Sequence, residues 1–158
     1  MIVPMTPEYA AQISGWTYEN EYSIYSFQPG GDTLDELLNG EYFAVLDETH
    51  KLCGYFCFGT SARIPADEPD AYTADALDMG LGMHPALCGS GGGRAFVQSG
   101  LAFAQSRFGA RQIRLTVAAF NARAIRVYER SGFRTVQRVM HRKTQTPFQI
   151  MLRESETA

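Results

Sequence analysis

The 158-residue sequence has no apolar run that approaches the roughly 18–20 residues a membrane span requires. It has only three cysteines, an odd number without the spacing of a metal site, which predicts free thiols in a reducing cytoplasm. The first residues lack the basic and long apolar regions of a secretory signal. No repeat or low-complexity tract is found, so we expect one cytoplasmic domain over residues 1–158, large enough to fold without disulfide or metal.

Lysine is also scarce, with two residues in the chain. The sequence has 14 basic and 17 acidic residues, which gives a net charge of −3. The charges are unevenly distributed. Residues 1–78 hold fourteen Asp and Glu with Lys51 and Arg63, whereas residues 79–158 hold twelve Lys and Arg with three Glu. The acidic total and the absence of a groove-reading motif argue against a nucleic-acid binder. The split favours partners of opposite sign or, equally, two solvated faces that attract each other.

Helix and strand signals in the first half are local and clear. Thr6 and Pro7 are an N-cap and a first-turn proline for a helix that runs to about Ser14. The Thr-Leu-Asp-Glu segment at residues 33–36 predicts a capping box for a second helix, which Gly40 stops. Segments 42–46 and 52–58 are rich in aromatic and other apolar residues around a polar turn, which predicts a hairpin.

The second half alternates strands and helices. Apolar residues at every second position of 77–83 predict a half-buried strand, and an apolar stripe that ends at Phe108 predicts a helix after the glycine run. Further strands are predicted from residue 113, over 133–139 and over 148–152. The predicted order is β-α-α-β-β-β-α-β-α-β-β. This order is typical of a mixed, mostly antiparallel α/β sheet with helices on both faces.

Glycines mark two places in this second half. Gly80 and Gly82 lie on one face of strand 77–83, together with Asp78, which predicts a bulge or a close approach by another backbone. Four of the five residues Gly89–Gly93 are glycine, and a helix follows them. Their backbone N–H groups and the helix N-terminus form a candidate anion cradle, although a plain flexible loop is the alternative. The loop has neither the Lys-Ser/Thr of a P-loop nor the third glycine of a dinucleotide fingerprint.

The loop is followed by Asn121, Ala124, Tyr128 and Gly132-Phe133 in the spacing Asn-x-x-Ala-x-x-x-Tyr-x-x-x-Gly-Phe. Together with the glycine loop, this block resembles the GNAT superfamily of acyl-CoA-dependent N-acyltransferases, most strongly over residues 77–135. The resemblance implies the GNAT fold and transfer of an acetyl group from acetyl-CoA to a primary amine. Acetyl-CoA would be a co-substrate, and no metal is implied.

The resemblance also implies the residues that hold the coenzyme. The glycine loop would bind the pyrophosphate through its amides, the strand backbone would pair with the pantetheine arm, and Asn121 would reach the pantetheine. Cys88 stands where the family normally has Arg or Gln. Arg94 and the helical stripe that includes Arg126 and Arg130 would meet the 3′-phosphate, or else form a solvated face. The cofactor-binding residues are therefore Leu81, Gly82, Met83, Gly89, Ser90, Gly91, Gly92, Gly93, Arg94, Asn121, Arg126 and Arg130.

The chemistry of acyl transfer indicates what the remaining residues would do. Tyr128 would face the thioester sulfur and act as general acid to the departing thiolate, with a core packing role as the alternative. A backbone N–H near Met83 would stabilise the oxyanion. The amine proton would go to Asp78, to His84 or to water. The catalytic candidates are Tyr128, Asn121 and Asp78, and Asn121 also suits an ordinary helix N-cap.

Other interpretations stay open at the level of sequence. Cys88 beside a helix N-terminus could carry the acyl group in a ping-pong reaction, which the resemblance disfavours. A non-catalytic acyl-CoA sensor that keeps the cradle is the alternative to an enzyme. The acceptor is a small cationic amine or a peptide N-terminus, because Glu19, Glu21 and the acidic loop Asp67–Asp75 favour a cation. We expect no nucleic-acid or membrane partner, and a monomer or homodimer.

Overall fold

The computed structural model describes residues 1–28, 30–89, 91–109 and 112–154, and its elements follow the predicted order. The strands are β1 (Ile2–Pro4), β2 (Tyr42–Leu46), β3 (Leu52–Phe58), β4 (Leu77–Met83), β5 (Gln112–Ala118), β6 (Arg134–Met140) and β7 (Pro147–Glu154). The α-helices are α1 (Pro7–Ser14), α2 (Gly31–Leu37), α3 (Gly93–Phe108) and α4 (Ala122–Arg130). Short 3-10 helices cover Asn20–Tyr25, Thr60–Ala62 and Pro85–Leu87.

The strands have the order β1-β2-β3-β4-β5-β7-β6. Strand β4 pairs with β5 in parallel, Leu77 opposite Ile113 and Asp78 opposite Arg114. The other described pairings, β1 with β2, β2 with β3, β5 with β7 and β6 with β7, are antiparallel. The sheet is therefore mixed and mostly antiparallel, as the sequence predicts.

The chain divides into two compact units. The first unit consists of Met1–Cys57 and Leu81–Ser90, and the second of Phe58–Gly80 and Gly91–Ala158. Strand β4 contributes its first four residues to the second unit and its last three to the first.

The first unit is built around the β2–β3 hairpin, whose strands begin and end at the predicted residues. All five residues of β2 are buried. Helix α1 begins where predicted: the Thr6 hydroxyl accepts a hydrogen bond from the Tyr9 N–H at 3.3 Å, and Pro7 occupies the first turn. The buried side chains of Ile13 and Leu37 are the apolar contributions of α1 and α2 to this core.

The second unit has its core along β5 and β7 and on the inner face of α3. Helix α3 buries the predicted stripe, namely Phe96, Val97, Gly100, Leu101 and Ala104. The last predicted member of the stripe, Phe108, is not buried: it ends α3 and is 45% exposed. Its ring still lies 5.2 Å from that of Phe58, so the residue covers the core edge rather than filling it.

Two sequence predictions need correction. Helix α2 begins at Gly31 rather than after Thr33, because Gly30 takes a φ of 141° and starts the helix earlier. The Thr33 hydroxyl donates to the Gln28 carbonyl instead of capping the helix. Strand β4 is not polar on the face of Asp78: that carboxylate is 2% exposed and is satisfied by arginines. The alternating pattern predicts that the Asp78 side chain faces solvent, whereas in the structure it is buried in an ion pair with Arg114.

Candidate active site

In the first unit, the site residues lie at the end of β4, where Leu81, Gly82 and Met83 are half-buried. The peptide that joins Met83 to His84 is held from both sides. The hydroxyl of Tyr18 donates to the Met83 carbonyl at 2.7 Å, and the His84 N–H donates to the Cys53 carbonyl at 2.9 Å. The backbone that would bind a pantetheine arm is therefore fixed before any ligand arrives.

Gly82 is glycine because a ring occupies the space of its side chain. A Cβ at this position would lie 2.3 Å from a ring carbon of Tyr55 and 2.7 Å from its hydroxyl oxygen. Tyr55 is buried and has ring neighbours in Trp16, Phe27 and Tyr42, so it has little freedom to move aside. The close approach predicted for this glycine is real, but it comes from an aromatic side chain rather than from a backbone.

His84 has its imidazole committed to structure. Its Nδ1 accepts a hydrogen bond from the Ala86 N–H at 3.0 Å, and the ring meets Trp16 edge-on at 5.0 Å. Because Nδ1 acts as the acceptor, the neutral ring carries its proton on Nε2. A ring in this form offers no lone pair to an incoming amine proton at Nε2. The geometry therefore disfavours His84 as the general base.

The glycine loop joins β4 to α3. Gly89 and Gly91 take positive φ values of 79° and 92°, a region in which other residues are strained. Gly92 occupies the N-cap of α3 and supplies no side-chain cap. The helix thus begins at Gly93 with first-turn N–H groups that an anion can bind. Ser90, also predicted to bind the coenzyme, lies outside the described residues.

Cys88 precedes the loop with an exposed thiol. Its Sγ lies 3.8 Å from the Met83 carbonyl oxygen and 3.7 Å from that of His84. In both contacts the thiol is the donor, and at these distances both are weak.

In the second unit, α4 carries the motif residues. The Asn121 side chain accepts from the Ala124 N–H at 3.2 Å, which confirms the helix N-cap. Tyr128 is the buried residue of α4, and its ring meets Phe133 edge-to-face at 6.1 Å. Gly93 lies against α4, since a Cβ there would be 3.5 Å from Val127.

Basic side chains lie on the exposed faces of these two helices. Arg94 is the second residue of α3, and Arg126 and Arg130 belong to α4, and all three are exposed. Within the described part of the chain, none of the three has a carboxylate within 4.0 Å. Their charges are therefore available to a phosphate.

Asp78 is the centre of an ion cluster in the second unit. Arg114, 2% exposed, donates from Nε to Oδ1 at 2.6 Å and from Nη2 to Oδ2 at 2.9 Å, and Arg63 donates to Oδ2 at 2.8 Å. The hydrogen bond to Asp78 raises the pKa of Arg114 above its ordinary value. Both guanidinium groups also lie over the Tyr72 ring, at 5.1 and 5.0 Å.

This arrangement favours a structural role for Asp78 over a catalytic one. Both carboxylate oxygens already accept hydrogen bonds from guanidinium groups. Arg114 Nη1 also donates to the Ala74 carbonyl at 2.9 Å. The cluster therefore ties the segment before β4 to the first residues of β4 and β5.

No described helix has the length and apolarity of a bilayer span. Among residues 1–28, 30–89, 91–109 and 112–154, no three His, Cys, Asp or Glu side chains come together as metal ligands.

With this geometry in place, comparison with known proteins decides the family. The model of the acetyltransferase (GNAT) family matches residues 8–133. The chain belongs to the GNAT family. It is an acetyltransferase by that membership, and the predicted resemblance is confirmed. A search of curated protein sequences gives no significant match.

Solved structures share the GNAT fold. A chimera of the Vibrio cholerae spermidine N-acetyltransferase SpeG with hSSAT superposes with a TM-score of 0.76 at 18% identity, covering 98% of this chain and 94% of that one. A GNAT acetyltransferase from Bacillus anthracis gives 0.72 at 16%, covering 99% and 95%. A putative phosphinothricin N-acetyltransferase gives 0.57 at 19%, covering 73% and 72%. These identities establish the fold, and the predicted fold class is confirmed.

The structure also brings residues to the site that the sequence motifs do not mark. In the sequence, Tyr18 is one of several aromatic residues, Tyr55 is part of a hairpin pattern, and Arg114 lies within a strand pattern. Their partners are distant in the chain: Met83 is 65 residues from Tyr18, and Asp78 is 36 from Arg114. Two signals in the sequence could have pointed to these contacts: the charged residue Arg114 inside one predicted strand, and Gly82 inside another.

Proposed function

We propose that this GNAT enzyme transfers the acetyl group of acetyl-CoA directly to a primary amine of a cationic acceptor. The observation that carries the proposal is the start of α3, which has no side-chain cap and follows two glycines with positive φ, Gly89 and Gly91, in the segment between β4 and α3. Exposed N–H groups at a helix N-terminus suit a pyrophosphate. The family model covers this segment and the α4 motif.

Each of the two units contains some of the residues that we propose for donor binding. In the first unit, backbone groups of Leu81–Met83 and the amide of Gly89 would bind the pantetheine arm and the pyrophosphate. In the second, the amides of Gly91–Gly93 would bind the pyrophosphate. Asn121 would reach the pantetheine while it caps α4, and Arg94, Arg126 and Arg130 would attract the 3′-phosphate.

In the proposed reaction, the amine nitrogen forms a bond to the acetyl carbonyl carbon and the carbon–sulfur bond breaks. The Met83 N–H would stabilise the negative charge on the carbonyl oxygen. Tyr128 would give its hydroxyl proton to the departing thiolate. We assign the amine proton to water, because the carboxylate of Asp78 and Nδ1 of His84 are both already hydrogen-bonded.

The first unit supports a cationic acceptor. Its two segments, Met1–Cys57 and Leu81–Ser90, contain nine acidic residues against one lysine and no arginine. The segment after α1 adds half-buried rings that can attract an ammonium group, namely Tyr18, Tyr22, Tyr25 and Phe27. Because solved GNAT structures that match the chain are named spermidine N-acetyltransferases, we propose a polyamine as the acceptor.

The test is acetylation of a panel that contains spermidine, a peptide with a free N-terminus and an uncharged primary amine of similar length. We expect the highest kcat/KM with spermidine, falling as salt is added, because screening weakens attraction between exposed charges. Mass spectrometry of the amine measures the product without interference from the exposed Cys88 thiol. Preference for the peptide would reassign the acceptor. Coenzyme A binding without acetylation of any amine would favour the sensor.

The glycine loop gives a prediction on donor binding. Coenzyme A should raise the melting temperature of the wild type in proportion to the logarithm of its concentration. Gly91→Val should abolish this shift, because the branched side chain enters the cradle and the positive φ is lost or strained. Differential scanning fluorimetry at several coenzyme concentrations measures both proteins.

Gly40→Val is the matched control for this prediction. Gly40 has a φ of 93°, against 92° at Gly91, and at both positions an added Cβ would meet nothing within 4 Å. The two substitutions therefore place valine at nearly the same φ with equal room around Cβ, and both variants should lose stability. Only Gly91→Val should lose the coenzyme shift. Equal shifts in the two variants would place the pyrophosphate elsewhere.

A further inference from the structure

We propose that Tyr18 is a positioning residue for acetyl transfer, because its hydroxyl holds the peptide at the end of β4 in one orientation. The inference rests on the proposed function, in which the Met83 backbone meets the acetyl group. It assigns a task to a side chain outside the GNAT motif block identified in the sequence.

The geometry is that of a peptide fixed at both ends. The carbonyl oxygen of Met83 accepts from Tyr18 at 2.7 Å, a short and favourable O–H···O distance. The N–H of the same peptide group, which belongs to His84, donates to Cys53 at 2.9 Å. Rotation of this peptide would break one or both bonds. Met83, the residue whose N–H we assign to the oxyanion, is therefore anchored on its C-terminal side.

Tyr18 is itself held firmly. Its backbone N–H donates to the Ser26 hydroxyl at 2.9 Å, which closes the segment around the 3-10 helix Asn20–Tyr25. Burial, with a contribution from Cys88, raises the pKa of Tyr18 above that of an ordinary tyrosine. The hydroxyl thus stays protonated, and remains a donor, throughout the pH range in which the enzyme would be assayed.

The position of Tyr18 in the chain explains why its hydrogen bond to the Met83 carbonyl would matter for the reaction. Tyr18 begins the acidic and aromatic segment that we propose for the acceptor, whereas Met83 belongs to the strand that we propose for the donor. One hydrogen bond within the first unit thus connects the two. Because an error of about 1 Å in a reacting geometry can cost a hundredfold in rate, loss of this bond should affect turnover more than binding.

The test compares Tyr18→Phe with Tyr72→Phe. Tyr72 is the matched control, because its half-buried hydroxyl makes two bonds, one to Thr116 at 2.8 Å and one from the Ile64 N–H at 3.1 Å, in the second unit. Tyr72→Phe should lose at least as much stability as Tyr18→Phe, because it removes two hydrogen bonds rather than one. Only Tyr18→Phe should lower kcat, by about ten- to a hundredfold, with the KM for acetyl-CoA and the coenzyme-induced melting shift unchanged.

Hydrogen exchange gives a readout that does not require turnover. The His84 amide should exchange faster in Tyr18→Phe than in wild type or Tyr72→Phe, because the peptide has lost one of its two anchors. Unchanged exchange at His84, or equal kcat in Tyr18→Phe and wild type, would overturn the positioning role. Failure of the wild type to acetylate any amine would instead contradict the proposed function, while the exchange result would still decide whether Tyr18 holds this peptide.

Discussion

Replacement of Tyr128 by phenylalanine should lower kcat by about 10²–10⁴-fold, the usual contribution of a general acid. The substitution keeps the ring, which packs edge-to-face on Phe133 in a buried position, so the fold should survive. The variant should still bind acetyl-CoA, because only the proton donor to the thiolate is removed. Steady-state kinetics and the coenzyme-induced melting shift, measured together, separate turnover from binding.

Binding of the coenzyme provides the control, since the variant should keep the coenzyme-induced melting shift of the wild type while its kcat falls. A wild-type kcat in the variant would leave Tyr128 as a packing residue and transfer the proton donation to water.

The second large effect concerns stability. Asp78→Ala should lower the free energy of unfolding by about 3–5 kcal/mol, because it leaves the buried guanidinium of Arg114 without its partner. The loss should be visible as a lower denaturation midpoint in urea with an unchanged slope. The double variant Asp78→Leu with Arg114→Leu should recover much of this loss, since no buried charge remains.

A surface pair gives the comparison. Arg134 and Glu154 approach to 3.7 Å with side chains 67% and 64% exposed, so Glu154→Ala should cost less than about 1 kcal/mol. The same experiment decides the role of Asp78. If Asp78→Ala folds with wild-type stability but fails to turn over, the carboxylate is the general base and the structural interpretation is wrong.

Local sequence signals predicted most of the fold. The hairpin strands, the cap of α1 and the order of all elements follow from residues that are neighbours in the chain. The predicted start of α2 was wrong. A helix can begin at either Gly30 or Thr33, and the sequence pattern alone does not show which of the two it uses. The burial of Asp78 was missed because its partner Arg114 arrives from the next parallel strand, which no short pattern reveals.

Only part of the candidate site was predictable from the sequence. The glycine loop and the spacing of Asn121 and Tyr128 identified the family without any structure. The hydrogen bonds that hold the end of β4 were out of reach, because Tyr18 and Met83 come from distant segments. The roles of Tyr128, Asn121 and the loop amides stay predictions until kinetics and binding are measured.

The contact between Gly82 and the Tyr55 ring also has an evolutionary consequence. The Tyr55 ring fills the space that a side chain at position 82 would need, so neither residue can change size alone. A chain that acquires a side chain at position 82 must first accept a smaller residue at position 55, and the intermediate has a gap in the aromatic cluster with Trp16, Phe27 and Tyr42. Among descendants of a common ancestor, positions 55 and 82 should therefore vary together.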